Sequence, residues 1–231
     1  MHEFDSIVAT IALSMGVAWA SGIRLYVAIF VLGAGGATGY IHLPVALQIL
    51  QDPLVIGVAA FMCFVEFVAD KTPGVDSGWD GLQTFIRIPA GAVLAATALG
   101  DVSPALQVAA GLLGGTLTAA THFTKAGSRA MINTSPEPFS NWVASFSEDF
   151  AVLAGLWLAL QHPAVFLVLL VAFVALMVWL LPKLVRAIVR VFRKLAGWIG
   201  KLTGTPGASA APSSALREPT GARGSGSRPA V

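Results

Sequence analysis

The chain has 231 residues, of which 56% are hydrophobic and only 11% are charged, and its mean hydropathy is +0.78. An average soluble domain carries about 25% charged residues, and the apolar runs here are too many and too long for one aqueous core. These values exclude an ordinary water-soluble protein, so lipids are the expected partners and nucleic acid is not. The net charge of +2 is informative only together with the positions of the charged residues along the chain.

The amino terminus, MHEFDSIV, has two acids and no Lys or Arg before its apolar run. It therefore lacks the basic region of a cleaved signal peptide, and we expect it to be retained. Residues 203–231 are rich in Gly, Ala, Ser and Pro and are predicted to be a disordered tail. Cys63 is the only cysteine, which excludes an intrachain disulfide and a cysteine-based zinc site.

Long apolar segments predict an all-α, polytopic membrane protein whose transmembrane domain covers residues 1–182, because one span needs about 20 apolar residues. The six candidate segments are 7–37, 54–69, 84–100, 103–124, 142–160 and 163–182. The first is too long for one untilted span and is interrupted by SGIR at 21–24. It is one tilted helix, two short helices, or a re-entrant pair broken at Gly22.

Basic residues predict the orientation, since cytoplasmic loops collect Lys and Arg. Residues 183–202 carry six basic residues and no acid, and they predict a basic amphipathic helix on the inner leaflet. The loops that then fall inside, 70–83 and 125–141, hold Lys71, Lys125 and Arg129, whereas those outside, 38–53, 101–102 and 161–162, hold none. The protein is therefore predicted in a bacterial inner membrane, with a cytoplasmic C-terminus.

Two short stretches echo each other at an offset of 63 residues: TPGVDSGW at 72–79 and SPEPFSNW at 135–142. Each lies in a predicted cytoplasmic loop, so the hairpins 54–100 and 103–160 run in the same direction and are predicted to be a parallel repeat. Transporter folds commonly place the substrate site at such a repeat interface. Trp79 and Trp142 are predicted to anchor the two loops at the membrane interface.

Charged residues inside the apolar segments are the candidate site. Glu66 and Asp70 share one helix face by their i, i+4 spacing, and His122, Lys125 and Arg129 share another. Ions at mid-bilayer cost about 2.5–3.5 kcal/mol each on insertion scales, so these groups must be paired or hydrated. The candidate pathway residues are Arg24, Glu66, Asp70, Lys71, Asp76, Asp80, Arg87, His122, Lys125, Arg129, Glu148 and Asp149.

Two functions compete for these residues. In the first, they line a cavity open to the cytoplasm, where acids bind a proton or cation and basic groups bind an anion such as a lipid headgroup; the protein is then a small transporter or headgroup translocase. In the second, they form salt bridges that only fix helix packing. An intramembrane enzyme acting on a phosphorylated lipid ranks third, because no nucleophile motif is present. No cofactor is expected, and a Mg²⁺ site on Asp70, Asp76 and Asp80 is a lesser alternative.

Two blocks carry a resemblance: EFVADKTPGVDSGWDGLQTFIR at 66–87 and HFTKAGSRAMINTSPEPFSNWVASFSEDF from 122 onwards. Together with SGIRLY, they resemble the core motifs of a bacterial integral-membrane family known only as a domain of unknown function. The resemblance covers roughly residues 10–160. It implies a multispanning inner-membrane protein and no established activity, so no residue role is carried over from it.

Overall fold

The computed structural model describes residues 2–72, 74–133 and 138–202, and all of its regular structure there is helical. The elements are α1 His2–Ala37, a short 3₁₀ helix Val45–Gln51, α2 Pro53–Ala69, α3 Val75–Ala98, α4 Pro104–Ile132, α5 Pro138–Gln161 and α6 Pro163–Leu202. The predicted all-α fold is confirmed. The predicted tail at 203–231 lies outside the described residues.

Three helices are long and apolar enough to cross a membrane, namely α1, α5 and α6. The 3₁₀ helix and α2 pass the same test together as a pair bent by 66°, which allows up to four spans. In α3 and α4 the apolar residues alternate with Gly, Thr and charged residues, and these two helices fall short of the test. A membrane protein is thus supported, whereas the count of six spans is not confirmed.

Helix ends correct the predicted loops. α3 begins at Val75 and α4 continues to Ile132, so the loops expected at 70–83 and 125–141 are shorter. Lys125 and Arg129 consequently lie inside α4 and are not loop residues. Hydropathy assigned these stretches to loops because their buried faces are charged, and a buried charged face reads as polar in a sequence.

The helix starts follow from local chemistry. Asp52 accepts a hydrogen bond from the backbone N–H of Leu54 at 2.8 Å and caps α2, which then begins with Pro53. Ser103 caps α4 in the same way, ahead of Pro104. Pro is favoured at the first helical position because its missing N–H has no helical partner there. Gly74 precedes α3 with a φ of +86°, a conformation that side chains disfavour.

α1 is the centre of the fold and packs on α2, α3, α4 and α5, while α3 packs closely along α4. By comparison, α2 touches α3 little, and α4 touches α5 little. Each predicted hairpin, 54–100 or 103–160, is therefore joined to the rest mainly through α1 and the α3–α4 pair. The parallel repeat stays a prediction.

Apolar packing fixes α1 on both sides. Trp19 meets the rings of Phe166 and Phe173 of α6 edge-on, with centroids 6.2 and 6.0 Å apart. On the other side, Leu32 packs with Leu47 of the 3₁₀ helix in a second buried cluster.

The chain divides after Val191 into two compact units. The basic segment predicted at 183–202 is helical and forms the end of α6, which contains Pro182.

Small residues let α1, α3 and α4 approach closely. A Cβ atom on Gly114 would overlap the Cβ of Ala95, and one on Gly22 would lie 2.6 Å from the carbonyl oxygen of Thr118. Thr118 uses this proximity to donate a hydrogen bond to the carbonyl oxygen of Ala18 at 2.8 Å. α4 therefore packs closely against α3 at Gly114 and against α1 at Thr118.

Substitution of Gly114 tests this packing against a matched position on the same helix. Gly114→Ala forces α3 and α4 apart and is expected to lower the free energy of unfolding by about 1–3 kcal/mol. Gly111→Ala meets its nearest neighbour at 3.5 Å, an ordinary contact, and is expected to be neutral or slightly stabilising. Thermal unfolding in detergent compares the two variants, and equal losses would refute the close crossing at Gly114.

Candidate functional site

Charged side chains from five helices converge on one buried place. The members of this charged network are Arg24 on α1, Glu66 and the adjacent Asp70 on α2, Asp80 and Arg87 on α3, Lys125 and Arg129 on α4, and Glu148 and Asp149 on α5. Six of the nine are at most 1% exposed. The predicted acidic face of α2 and basic face of α4 thus meet directly.

The network surrounds a break in α1. Arg24 leaves the helical conformation with φ −144° and ψ 79°, which joins two helical stretches at this residue. A break frees carbonyl oxygens that would otherwise accept helical hydrogen bonds. The carbonyl oxygen of Ile23 instead accepts from Arg87 Nη1 at 2.9 Å and from Lys125 Nζ at 3.1 Å. Of the alternatives for residues 7–37, a broken helix is therefore correct, with the break at Arg24 and not at Gly22.

Arg24 links α2 and α5 across this break. Its Nη1 lies 2.7 Å from Asp70 Oδ2, and its Nε lies 3.0 Å from Asp149 Oδ1. Its Nη2 donates to the Ser145 hydroxyl at 2.8 Å. The guanidinium thus uses its fork of donors to hold three groups in a fixed arrangement.

Lys125 has the most crowded environment in the network. Its ammonium nitrogen lies 3.1 Å from the Ile23 carbonyl oxygen and 3.4–3.6 Å from four carboxylate oxygens. These oxygens belong to Glu66, Asp70, Asp80 and Glu148. Five oxygen atoms, from α1, α3, α5 and the C-terminal part of α2, therefore surround one cation.

Two arginines complete the pairing. Arg129 donates from Nε and Nη2 to both oxygens of Glu148 at 2.9 Å, a bidentate geometry that gives strong charge-assisted hydrogen bonds. Its Nη2 also lies 3.4 Å from Asp70 Oδ2. Arg87 donates to Glu66 and lies 3.7 Å from Asp80 Oδ1. Each of the two thus bridges α2 to a second acid.

His122 lies beside the network as a hydrogen-bonded core residue. Its Nε2 is 2.8 Å from Thr84 Oγ1 and 3.1 Å from the carbonyl oxygen of Asp80, which also accepts from the Thr84 hydroxyl. Its Nδ1 is 3.5 Å from Arg87 Nη1. These partners suit a ring that donates from Nε2 and accepts at Nδ1.

Several carboxylate oxygens of the network accept no hydrogen bond. They are Glu66 Oε2, Asp70 Oδ1, and both carboxylate oxygens of Asp80, all buried within the described part of the chain. Leaving a buried acceptor unsatisfied costs about 1–3 kcal/mol, and more when it is charged. The network therefore has capacity for a further donor or positive charge.

Besides His122, four predicted site residues lie outside the ion pairs. Asp76 accepts from the Asn133 amide at 2.7 and 2.9 Å and joins no ion pair among the described residues. Lys71 Nζ rests 2.9 Å from the ring centroid of Phe67, and burial lowers its pKa while the charge of Asp149 opposes that shift. Trp142 is 49% exposed and Trp79 is half-buried, and their anchoring at the membrane interface stays a prediction.

Polar partners without charge escaped the sequence-based prediction. Ser145 contacts Arg24, and Asn141 donates from its amide to Asn133 at 2.7 Å, which in turn holds Asp76. Asn133 thus links Asp76 to Asn141, one residue from each of the two echoing stretches. Ser145 lies one helical turn before Glu148 on the same face of α5. That spacing is the sequence signal that could have identified it as a site residue.

One side of the network, formed by α5, is more exposed than the rest. The Glu148 and Asp149 side chains are 17% and 27% exposed, against 0–3% for the other members. Solvent therefore reaches the network from its α5 side.

With the Lys125 ammonium in its observed position among the carboxylates, no group of three or more His, Cys, Asp or Glu residues suited to a metal ion occurs in residues 2–72, 74–133 and 138–202.

Comparison with known proteins identifies the family. Residues 11–183 match the family described as domain of unknown function DUF4126, so the chain belongs to it. No curated protein and no solved structure matches the chain. The match extends past the resemblance at roughly 10–160 and includes the first part of α6.

The Arg129–Glu148 pair provides a test of the network. Each of Arg129→Gln and Glu148→Gln leaves a buried ion short of its partner and is expected to cost about 3 kcal/mol. The double variant is expected to cost less than the sum, with a coupling of about 0.5–3 kcal/mol. Denaturant unfolding in detergent measures the cycle, with Lys71→Gln as the control that changes little. Purely additive losses would contradict the pairing.

Proposed function

We propose that this member of the DUF4126 family is a small membrane transporter that carries a cation or a proton through the charged network. The observation that carries this proposal is the set of buried carboxylate oxygens of Glu66, Asp70 and Asp80 that lack a donor, beside the helix break at Arg24. Transporters commonly build ion sites at broken helices near the membrane midplane. Ionisable residues inside a membrane point to function by default.

The balance of unused polar atoms favours a cation over an anionic headgroup. Four network carboxylate oxygens lack a donor, against two guanidinium nitrogens, Arg24 Nε and Arg87 Nε, that lack an acceptor. Of these two nitrogens, the first still lies 3.0 Å from Asp149. An anionic cargo would have to displace carboxylates from arginines, whereas a cation adds to oxygens that accept no hydrogen bond.

The proposal includes a bacterial inner membrane with the C-terminus in the cytoplasm. The basic end of α6 supports this orientation, with Lys183, Arg186, Arg190 and Arg193 exposed on one helix. Lys125 and Arg129 no longer support it, because they are paired inside the fold. Entry from the cytoplasm would follow the more exposed Glu148 and Asp149.

A second candidate is a non-transporting structural or assembly protein. The observation that favours it is that all four basic members are nearly fully buried and paired with carboxylates. Each of the three arginines has a carboxylate oxygen within 3.0 Å, and Lys125 has several at longer distances. Such a network fixes helix packing without any cargo. The intramembrane enzyme has no nucleophile and base arrangement in its support and stays third.

Flux measurements in proteoliposomes test the proposal. We expect the wild-type protein to dissipate a pH or cation gradient faster than protein-free liposomes, and Asp80→Asn to reduce this flux at least tenfold because it removes a buried negative charge. The control is Asp101→Asn, which changes an exposed loop acid and should retain the flux. Wild-type flux no faster than in protein-free liposomes would refute transport and favour the structural alternative.

A further inference from the structure

The environment of Lys125 suggests what the network binds. We propose that the oxygen shell around the Lys125 ammonium is a site for one large monovalent cation, such as K⁺ or NH₄⁺, and that the lysine occupies it as a tethered substitute. This inference deepens the proposed transport function and rests on it. The shell consists of the Ile23 carbonyl and the carboxylates of Glu66, Asp70, Asp80 and Glu148.

Hydrogen-bond capacity gives the first argument. A lysine ammonium has three N–H donors, yet five oxygens surround Lys125 Nζ at 3.1–3.6 Å. At least two of them must therefore go without a hydrogen bond from it. A spherical ion has no such limit, because it attracts every oxygen around it equally. The shell is thus richer in oxygen than its present occupant requires.

Asp80 gives an independent argument. Its side chain is 1% exposed, its Oδ1 lies 3.6 Å from Lys125 Nζ, and neither of its oxygens accepts a hydrogen bond. A buried carboxylate without a donor is costly unless a positive charge or a proton compensates it. Since Lys125 and Arg87 reach it only at 3.6–3.7 Å, Asp80 is the least satisfied acid and is directed into the shell.

Charge selects the class of ion. Exchange of the ammonium for one monovalent cation leaves the net charge of the buried network unchanged, whereas a divalent ion would add a charge. The Ile23 carbonyl, freed by the break in α1, adds a neutral ligand of the kind that broken helices offer to monovalent ions.

The exchange requires that Lys125 withdraw from the shell. Its four-carbon stem is flexible and carries a compact charge, so the ammonium can leave while an entering cation binds the same oxygens. The shell then alternates between lysine and cargo. In transport terms, the lysine supplies the positive charge of the site when no cation is bound.

Removal of the lysine should expose the site to a free ion. Lys125→Met keeps the side chain as far as the Cε position and removes the ammonium. In this variant, K⁺ and NH₄⁺ are expected to raise Tm by about 2–4 °C relative to N-methylglucamine at equal ionic strength, and the rise should saturate with concentration. Lys71→Met is the matched control, because it removes a lysine outside the ion pairs. The double variant Lys125→Met with Asp80→Asn should lose most of the rise.

An equal response of Lys125→Met and Lys71→Met, or no response of the former, would overturn the inference. Rubidium binding to the wild-type protein provides a second measurement that does not depend on variant folding. Binding that Asp80→Asn abolishes supports the site, and no binding at any pH overturns it. Wild-type flux without rubidium binding would refute this site alone, whereas binding without flux would refute transport and leave the site.

Discussion

The structure depends on how the break in α1 is satisfied. Arg24 takes an extended conformation in the middle of a helix that is otherwise continuous from His2 to Ala37, and this frees backbone groups in an apolar setting. In lipid such groups must find partners inside the protein. Arg87 and Lys125 supply donors to the Ile23 carbonyl, and Arg24 itself reaches out to Asp70 and Asp149. The break and the charged network therefore stabilise each other.

Close helix packing makes this possible. Gly22 lies against Thr118, Thr121 and His122, about one turn before Lys125 on α4, and so allows α4 to approach α1, while Gly114 brings α4 against α3. Without these small residues, Lys125 could not reach a carbonyl on α1 and carboxylates on α2, α3 and α5 together. The same packing buries the ions, which makes any unpaired member expensive.

Part of this arrangement could be predicted from the sequence. The i, i+4 spacing of Glu66 and Asp70 and the i, i+3, i+7 spacing from His122 assign each set to one face, and the charge of Arg24 amid apolar residues marks it as needing a partner. Which acid pairs with which base depends on tertiary distances that no spacing encodes. Asp76, for example, has the same chemistry as Asp80 but contacts an asparagine.

Helix ends and span number were harder to predict for a related reason. Hydropathy treats each residue as if it faced the solvent, yet Lys125 and Arg129 face a buried carboxylate cluster within α4. A charged face satisfied inside the protein and a charged loop look alike in composition. The orientation predicted from basic loop residues has the same ambiguity, because Lys125 and Arg129 were counted among them.

We have proposed that the oxygens around Lys125 form a site for a monovalent cation. Anomalous diffraction from crystals of Lys125→Met grown with rubidium is a direct test of this site, because the signal locates the ion itself. We expect an anomalous peak enclosed by the carboxylates of Glu66, Asp70 and Asp80 and the carbonyl oxygen of Ile23. Crystals that hold the same helical arrangement and full rubidium concentration but no peak there would contradict it.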